Sequence, residues 1–316
     1  MRDSTSRDLG DKASKFKVLL VDVDSKIPNL ALMKLSSYHK WLGHEVGFNV
    51  SDPDLILASV IMKKNAHHVD GLKSFYPDAS IKIGGPGYDL NLKLDETVEH
   101  MKPDYDLYPG MNYSMGFTTR GCIRNCYFCV VPKKEGKLVQ AQHPRAFHDP
   151  RFNEICILDN NWMADRDWFF ETSQWIIDQG LRLRENGLDI RLLDDGLAEQ
   201  LSKFKLAAPL HFAFDSEKDL EVIVSGIDML KAHGIDTKNK TSFYVYCHDD
   251  SQYESALYRC NVLKEERATA FLMFNCDKPR TDRIKHLQRW ANRPWLFWSI
   301  DADQFTYNSK KWKVKA

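Results

Sequence analysis

The sequence lacks the features that place a chain in a membrane or outside the cell. No apolar run in its 316 residues approaches the roughly 18 residues of a bilayer-spanning helix. The opening stretch, MRDSTSRDLGDKASK, has no apolar core of the kind a signal peptide needs. Charge of one sign is not in surplus, since Lys+Arg and Asp+Glu both total 44. That balance argues against bulk nucleic-acid binding, while leaving room for a local basic patch. No cysteine precedes Cys122, and the total of seven is odd, so no secreted disulfide framework is expected. Together these absences imply a soluble cytoplasmic protein with no membrane partner. The 43% hydrophobic and 28% charged residues are ordinary for a globular chain and argue against global disorder.

The expected fold class is α/β, in two parts. Residues 1–15 read as a flexible tail. Across 16–100, KFKVLLVDV, EVGFNV, DLILASV and SIKIGG read as short buried strands with helical or loop segments between them. Pro28 and Asn29 open a helix that Gly43 closes. This alternation implies a small doubly wound parallel sheet. MKPDYDLYPGMNY, residues 101–113, has no period and reads as a linker. From 114 to 316 the alternation is more regular, with strands at 114–120, 154–160, 188–193, 209–215, 241–247 and 268–275. These six βα units are fewer than the eight of a closed barrel and predict a partial (β/α)6 TIM-type barrel with a C-terminal extension. In such folds functional residues sit at the carboxyl ends of strands. Those ends carry the loop after Arg120, Asp159-Asn160-Asn161, Arg191, Asp215-Ser216, Tyr246 and Asn275.

The loop after Arg120 reads GCIRNCYFCVVPKKEG and places Cys122, Cys126 and Cys129 at C-x3-C-x2-C spacing. Thiolates suit zinc or an iron–sulfur cluster. A closed structural zinc site wants four protein ligands, and no fourth Cys or His stands at a matching spacing. His143 and His148 would serve only if the chain folds back. Three thiolates on a cubane would leave one iron open. The alternative is three cysteines that bind no metal. Lys133, Lys134 and Glu135 read either as a solvated charge run or as contacts to an anionic substrate. Cys247, Cys260 and Cys276 are too dispersed for a second cluster and read as small buried hydrophobes.

CIRNCYFC resembles the CxxxCxΦC signature of the radical SAM superfamily, with Phe128 at the aromatic position. The wider stretch GFTTRGCIRNCYFCVVPKKEG resembles members that carry an N-terminal cobalamin-binding-like domain, and LDNNW, NGLDIRLL, HFAFDS and FYVYC follow in matching order. The resemblance implies that Cys122, Cys126 and Cys129 bind a 4Fe–4S cluster and that S-adenosylmethionine is the co-substrate. It further implies that reductive cleavage gives a 5′-deoxyadenosyl radical that abstracts hydrogen from a substrate. Phe128 would pack near the adenine. Where the family often has Gly-Gly-Glu, this chain has Asp159, Asn160 and Asn161, which still offer acceptors to an ammonium group. Arg191 would hold the SAM carboxylate, and Asp215 and Ser216 the ribose hydroxyls. Arg191 read instead as a barrel-mouth salt bridge, or Asp215 as a helix cap, are the plainer alternatives. An electron donor such as flavodoxin or ferredoxin is the implied partner.

The Asp-x-His-x-x-Gly motif of cobalt-ligating modules is absent. GGPG, residues 84–87, offers close backbone approach but serves equally as a tight turn. A domain that caps the barrel mouth is the expectation, and cobalamin binding the less favoured alternative. The lack of any cysteine before Cys122 disfavours a methylthiotransferase-type second cysteine triad.

Overall fold

The structure is a computed structural model that describes residues 15–275 and 278–305. The expected tail, apart from Lys15, lies outside the described residues, as do Cys276 and the end of the C-terminal extension. No helix among the described residues is long and apolar enough to cross a membrane. The chain divides into two compact units between Met111 and Asn112.

The first unit is a parallel four-stranded sheet. Its strands are β1 (Lys17–Asp22), β2 (Glu45–Gly47), β3 (Leu55–Ser59) and β4 (Ser80–Gly84), in the order β2-β1-β3-β4. The apolar runs explain them: Val18, Leu19 and Leu20 on β1 and Ile56, Leu57 and Ala58 on β3 are buried, as in central strands of a parallel sheet. The helix Leu30–Trp41 begins where Asn29 Oδ1 accepts the Leu32 N–H, and it ends before Gly43 at φ +79°. Residues 101–111, expected as a linker, pack into this unit. Asp104 accepts from Ser36 Oγ and Lys40 Nζ, both at 2.6 Å, and Tyr105 and Leu107 are buried.

The second unit contains β5 (Ser114–Gly116), β6 (Thr119–Arg120), β7 (Val139–Gln140), β8 (Glu154–Ile157), β9 (Arg182–Glu185), β10 (Lys205–Leu206), β11 (Leu210–Ala213), β12 (Thr241–Cys247) and β13 (Ala270–Phe274). They form two parallel sheets, β10-β9-β8-β5 and β11-β12-β13, and an antiparallel pair β6-β7. Helices Arg166–Asp178, Asp195–Ser202, Leu220–Ala232, Tyr253–Glu265 and Asp282–Ala291 follow their strands, and Asp165 and Asp194 cap the first two. Ile155, Ile157, Leu183, Phe212, Phe243 and Leu272 send their side chains into the core shared with these helices. Alternation along β12 is strict: Phe243, Val245 and Cys247 are buried, and Ser242, Tyr244 and Tyr246 are half-buried on the other face.

The strand expected at 188–193 is a correction. The strand that follows β8 is β9, at Arg182–Glu185, and Ile190–Leu192 is a single 3₁₀ turn. LRLRE hides its strand character behind two arginines, but Glu154 on β8 meets Arg182 Nη1 at 2.6 Å and Arg184 Nη2 at 2.9 Å. That pairing across neighbouring strands makes the polar residues tolerable in the sheet. The apolar run that suggested a strand is instead turned by Asp189, whose carboxylate accepts the Arg191 N–H at 3.2 Å.

One buried histidine makes the first unit sensitive to acid. His39 is 8% exposed, and its Nδ1 lies 2.9 Å from Nδ1 of His44. Burial, with the neighbouring His44 and Lys82, pushes its pKa from 6.5 down to about 4. The folded chain therefore keeps His39 neutral where the unfolded chain protonates it. Its contribution is intact above the unfolded value and is lost as pH falls from about 6.5 toward about 4. Denaturant titrations should show a loss of about 2 kcal/mol between pH 7 and pH 5 that shrinks in His39→Gln. An equal pH dependence in the variant would remove His39 as its cause.

Candidate functional site

The cysteine loop is closed at its base. Arg120 pairs with Val139 and Thr119 with Gln140, so the chain leaves and returns through one short antiparallel ladder. Gly121 sits at φ +78°, and a Cβ there would collide with the Lys137 carbonyl oxygen. Only glycine meets both conditions. Glu135 Oε2 accepts the Gly121 N–H and Asn160 Nδ2, both at 2.9 Å, and lies 3.4 Å from Arg120 Nε. Glu135 is thus a tie across the loop, neither a solvated charge nor a contact to an anion. Lys133 is exposed.

Asp159, just past β8, holds the segment that enters the loop. Its carboxylate accepts the Thr118 N–H at 2.6 Å, the Thr119 N–H at 2.8 Å and both threonine hydroxyls. It is 1% exposed, and burial raises its pKa to about 6 against those hydrogen bonds. Asp159, expected to meet a ligand, accepts in this structure from the backbone and the hydroxyls of Thr118 and Thr119. Asn160 donates to Glu135 and, at 3.4 Å, to the Gly121 carbonyl. Asn161 is 3% exposed and donates to Asp189 Oδ2 at 3.4 Å. Among the described residues, the buried side-chain oxygens without a hydrogen-bond partner are Asn161 Oδ1 and Glu185 Oε2. They belong to the carboxyl ends of the adjacent strands β8 and β9, and an unmet buried acceptor is costly unless a donor reaches it.

Cys122, Cys126 and Cys129 are half-buried free thiols. The Arg124 N–H points at Cys122 Sγ at 3.3 Å, and the Val131 N–H at Cys129 Sγ at 3.5 Å. Backbone donors of this kind stabilise thiolates and tune cluster potentials. Burial raises the Cys126 pKa, reinforced by Asp215 and Cys129. Burial also raises that of Cys129, with the Val131 N–H opposing. Burial disfavours the thiolate at Cys126 and Cys129, whereas bound iron would displace their protons. Among the described residues, no three His, Cys, Asp or Glu side chains converge closely enough for one metal ion. Three half-buried thiols are donors of the chemistry that either zinc or an iron–sulfur cluster takes. His143 and His148 are engaged elsewhere: His143 accepts the Arg145 N–H and packs edge-on to Trp168 and Trp175, while His148 Nδ1 lies 3.1 Å from Ser114 Oγ.

Phe128 stacks on Tyr246 with centroids 4.1 Å apart and planes 20° from parallel. Tyr127 crosses Phe128 edge-on at 5.1 Å and exchanges hydrogen bonds with Gln252. Asp215 Oδ1 accepts the Tyr246 N–H at 3.0 Å. Burial raises its pKa, opposed by that bond and by Arg259 and Arg191. Arg259, 2% exposed, donates to the carbonyls of Phe214 and Tyr246 at 2.7 and 2.9 Å and so ties the ends of β11 and β12 together. Ser216 is a cap, since its Oγ accepts the Lys218 N–H at 3.2 Å. The cap expected of Asp215 therefore falls one residue later.

Arg191 donates through Nε to Asp189 Oδ1 at 2.7 Å and reaches Asp219 at 3.4 Å. Arg124, inside the cysteine loop, donates to Asp189 Oδ2 at 2.8 Å. Burial opposes the charge on Asp189, but hydrogen bonds from Arg191 and Arg124 hold its carboxyl below the usual range. Asp189 thus joins the loop, Asn161 and Arg191. Its sequence signal was the break it puts into an otherwise apolar run. Glu135, Arg259 and Glu185 had no comparable signal.

In the first unit, Asp24 accepts the N–H groups of Ile61 and Met62 at 2.7 and 2.8 Å, and Asn29 Nδ2 donates to Ser59 Oγ at 2.8 Å. Gly85, at φ +95°, leaves no room for a Cβ against the Val60 carbonyl. Gly85 and Gly87 of GGPG thus serve close approach of the chain to itself, whereas a Cβ at Gly84 would meet nothing.

Asp159→Ala strands four donors in a buried site. It should cost about 2–4 kcal/mol and lower the melting temperature by several degrees in calorimetry. Unchanged melting would mean that Asp159 is not the brace. Gly121→Ala should lower iron incorporation on reconstitution while leaving the far-ultraviolet circular dichroism intact. Wild-type iron content in that variant would contradict the closed-loop geometry. Neither a scan of protein-family models nor a search of curated proteins returns a match, so the site stands on its own chemistry.

Proposed function

We propose that the chain is a radical SAM enzyme in which Cys122, Cys126 and Cys129 hold a 4Fe–4S cluster on a partial (β/α)6 barrel built by the second unit. The observation that carries this reading is a sealed loop after the first strands of a parallel unit, with three half-buried thiols and backbone N–H groups on two of them. When bound, the cluster would supply one electron to S-adenosylmethionine, releasing methionine and a 5′-deoxyadenosyl radical for hydrogen abstraction.

The chain's own residues do the binding and orienting. Asn161 Oδ1, buried and unpartnered, offers an acceptor to the ammonium group of SAM. Arg191 is held by Asp189 and Asp219 and presents its planar guanidinium beside the loop, where it suits the SAM carboxylate. Asp215 keeps Oδ1 on the Tyr246 N–H, which leaves Oδ2 for a ribose hydroxyl. The stacked Phe128 and Tyr246 rings give adenine an aromatic neighbour. On the loop itself, Tyr127, Ile123 and Val130 are 71, 49 and 51% exposed, and Lys133 is exposed. This apolar and basic surface suits an acidic electron donor such as a flavodoxin or ferredoxin. The first unit reads as a cobalamin-binding-like module whose strand ends are laced by Asp24 and Asn29.

Anaerobic reconstitution with iron and sulfide, followed by dithionite and SAM, should yield 5′-deoxyadenosine by chromatography. Cys126→Ala should reduce it to background. Reductive SAM cleavage that survives in Cys126→Ala would defeat the assignment.

A further inference from the structure

The charge balance of the chain conceals a local excess. Between residues 280 and 293 the sequence reads RTDRIKHLQRWANR. It forms the helix Asp282–Ala291 and the turns on either side of it. This segment lines a surface concavity of about 380 Å³, walled by Arg280, Lys285, Gln288, Arg289, Asn292 and Arg293. Among the described residues, its lining contains no carboxylate. Every lining side chain can donate hydrogen bonds, and four of the six are cations.

Two of these groups are fixed in place within the protein. The Arg280 guanidinium lies over the Phe274 ring, 4.3 Å from its centroid, and Nη1 donates to Gln288 Oε1 at 2.8 Å. Asn292 is locked to the edge of β13: it accepts the Leu272 N–H at 2.6 Å and donates to the Leu272 carbonyl at 3.0 Å. Floor and one wall are therefore ordered before anything binds, which lowers the entropic cost of capture. Lys285 Nζ is paired with Asp282 Oδ1 at 3.0 Å, while the guanidiniums of Arg280 and Arg293 share the concavity as like charges, which an anion placed between them would offset. Arginine forks match phosphate oxygens in pairs, better than they match a monovalent halide. The volume falls in the range of small-ligand clefts and exceeds what one inorganic phosphate fills.

The geometry points to a binding site for a phosphate-bearing ligand of about nucleotide size, held by Arg280, Lys285, Arg289 and Arg293. The site is separate from the cysteine loop and needs neither cluster nor SAM. Its shared chemistry is the phosphate group, whether on a free nucleotide or along a single strand of nucleic acid.

The test uses the full-length protein in air, without reconstitution. Pyrophosphate, ADP and a fluorescent twelve-nucleotide single strand are each titrated at about 50 mM and about 200 mM salt. Saturable binding is expected, weakening several-fold at the higher salt, and weakening at least tenfold in Arg280→Glu/Arg293→Glu. Lys240→Glu, an exposed cation outside the concavity, should bind like wild type. Tighter binding of ADP than of the strand assigns a free nucleotide, and the reverse assigns a strand; both support the site. No binding of any probe by the wild type, or equal binding by the double variant, overturns the proposal. Circular dichroism of the double variant guards against misfolding. Should it misfold, Arg293→Ala alone carries the same comparison, with a smaller loss expected.

Discussion

The cysteine loop depends on one buried carboxylate. Asp159 closes β8 and takes hydrogen bonds from the backbone and side chains of Thr118 and Thr119, which lie between β5 and the loop. Withdrawing a carboxylate from water is costly, and its raised pKa shows that burial outweighs the donors around it. In return the chain path from β5 into the loop is fixed. Glu135 repeats the device on the return side, tying Gly121, Arg120 and Asn160. The thiols therefore hang from a segment clamped at entry and exit.

A second layer of order is electrostatic. Glu154 faces two arginines across β8 and β9, and Asp189 faces Arg124 and Arg191 at the carboxyl end. In each case a poorly exposed carboxylate is shared by two more exposed guanidiniums. That arrangement lowers the penalty of burial and orients the arginines. Arg259 applies the same chemistry to uncharged acceptors, binding two strand-end carbonyls under the Phe128–Tyr246 stack. The balanced net charge of the chain is thus compatible with strongly structured local fields, including the cationic concavity beside the helix Asp282–Ala291.

Much of the fold was legible because its buried strands announce themselves. KVLLVD, LILAS and TSFYVYC carry the apolar runs or strict alternation of sheet strands, and Asn29 and Asp165 stand where capped helices begin. The failure at 188–193 has a definite cause. A strand whose polar residues find partners on the next strand looks like a loop, and an apolar turn that plugs a core looks like a strand. Leu188 and Ile190 are 4 and 1% exposed without lying in any sheet. Hydrophobicity reported burial correctly, and only the backbone path was misread. Among the site residues, the sequence selected Asn161 and Arg191 on position alone. The tertiary structure adds that Asp159 braces Thr118 and Thr119 and that Ser216 accepts the Lys218 N–H.

The sequence by itself determined that this is an α/β chain with one short thiol-rich loop, because strand and helix periodicity and cysteine spacing are local properties. It could also place that loop after a strand, since loop and strand are contiguous. What it could not decide is which carboxylates are spent on structure. Asp159, Asp189, Asp215 and Glu135 are alike in sequence. They differ in the donors that distant segments bring: threonine N–H groups for the first, the Arg124 guanidinium for the second, the Tyr246 N–H for the third and the Gly121 N–H for the last. Those partners lie 14 to 65 positions away along the chain, so only folding brings them together.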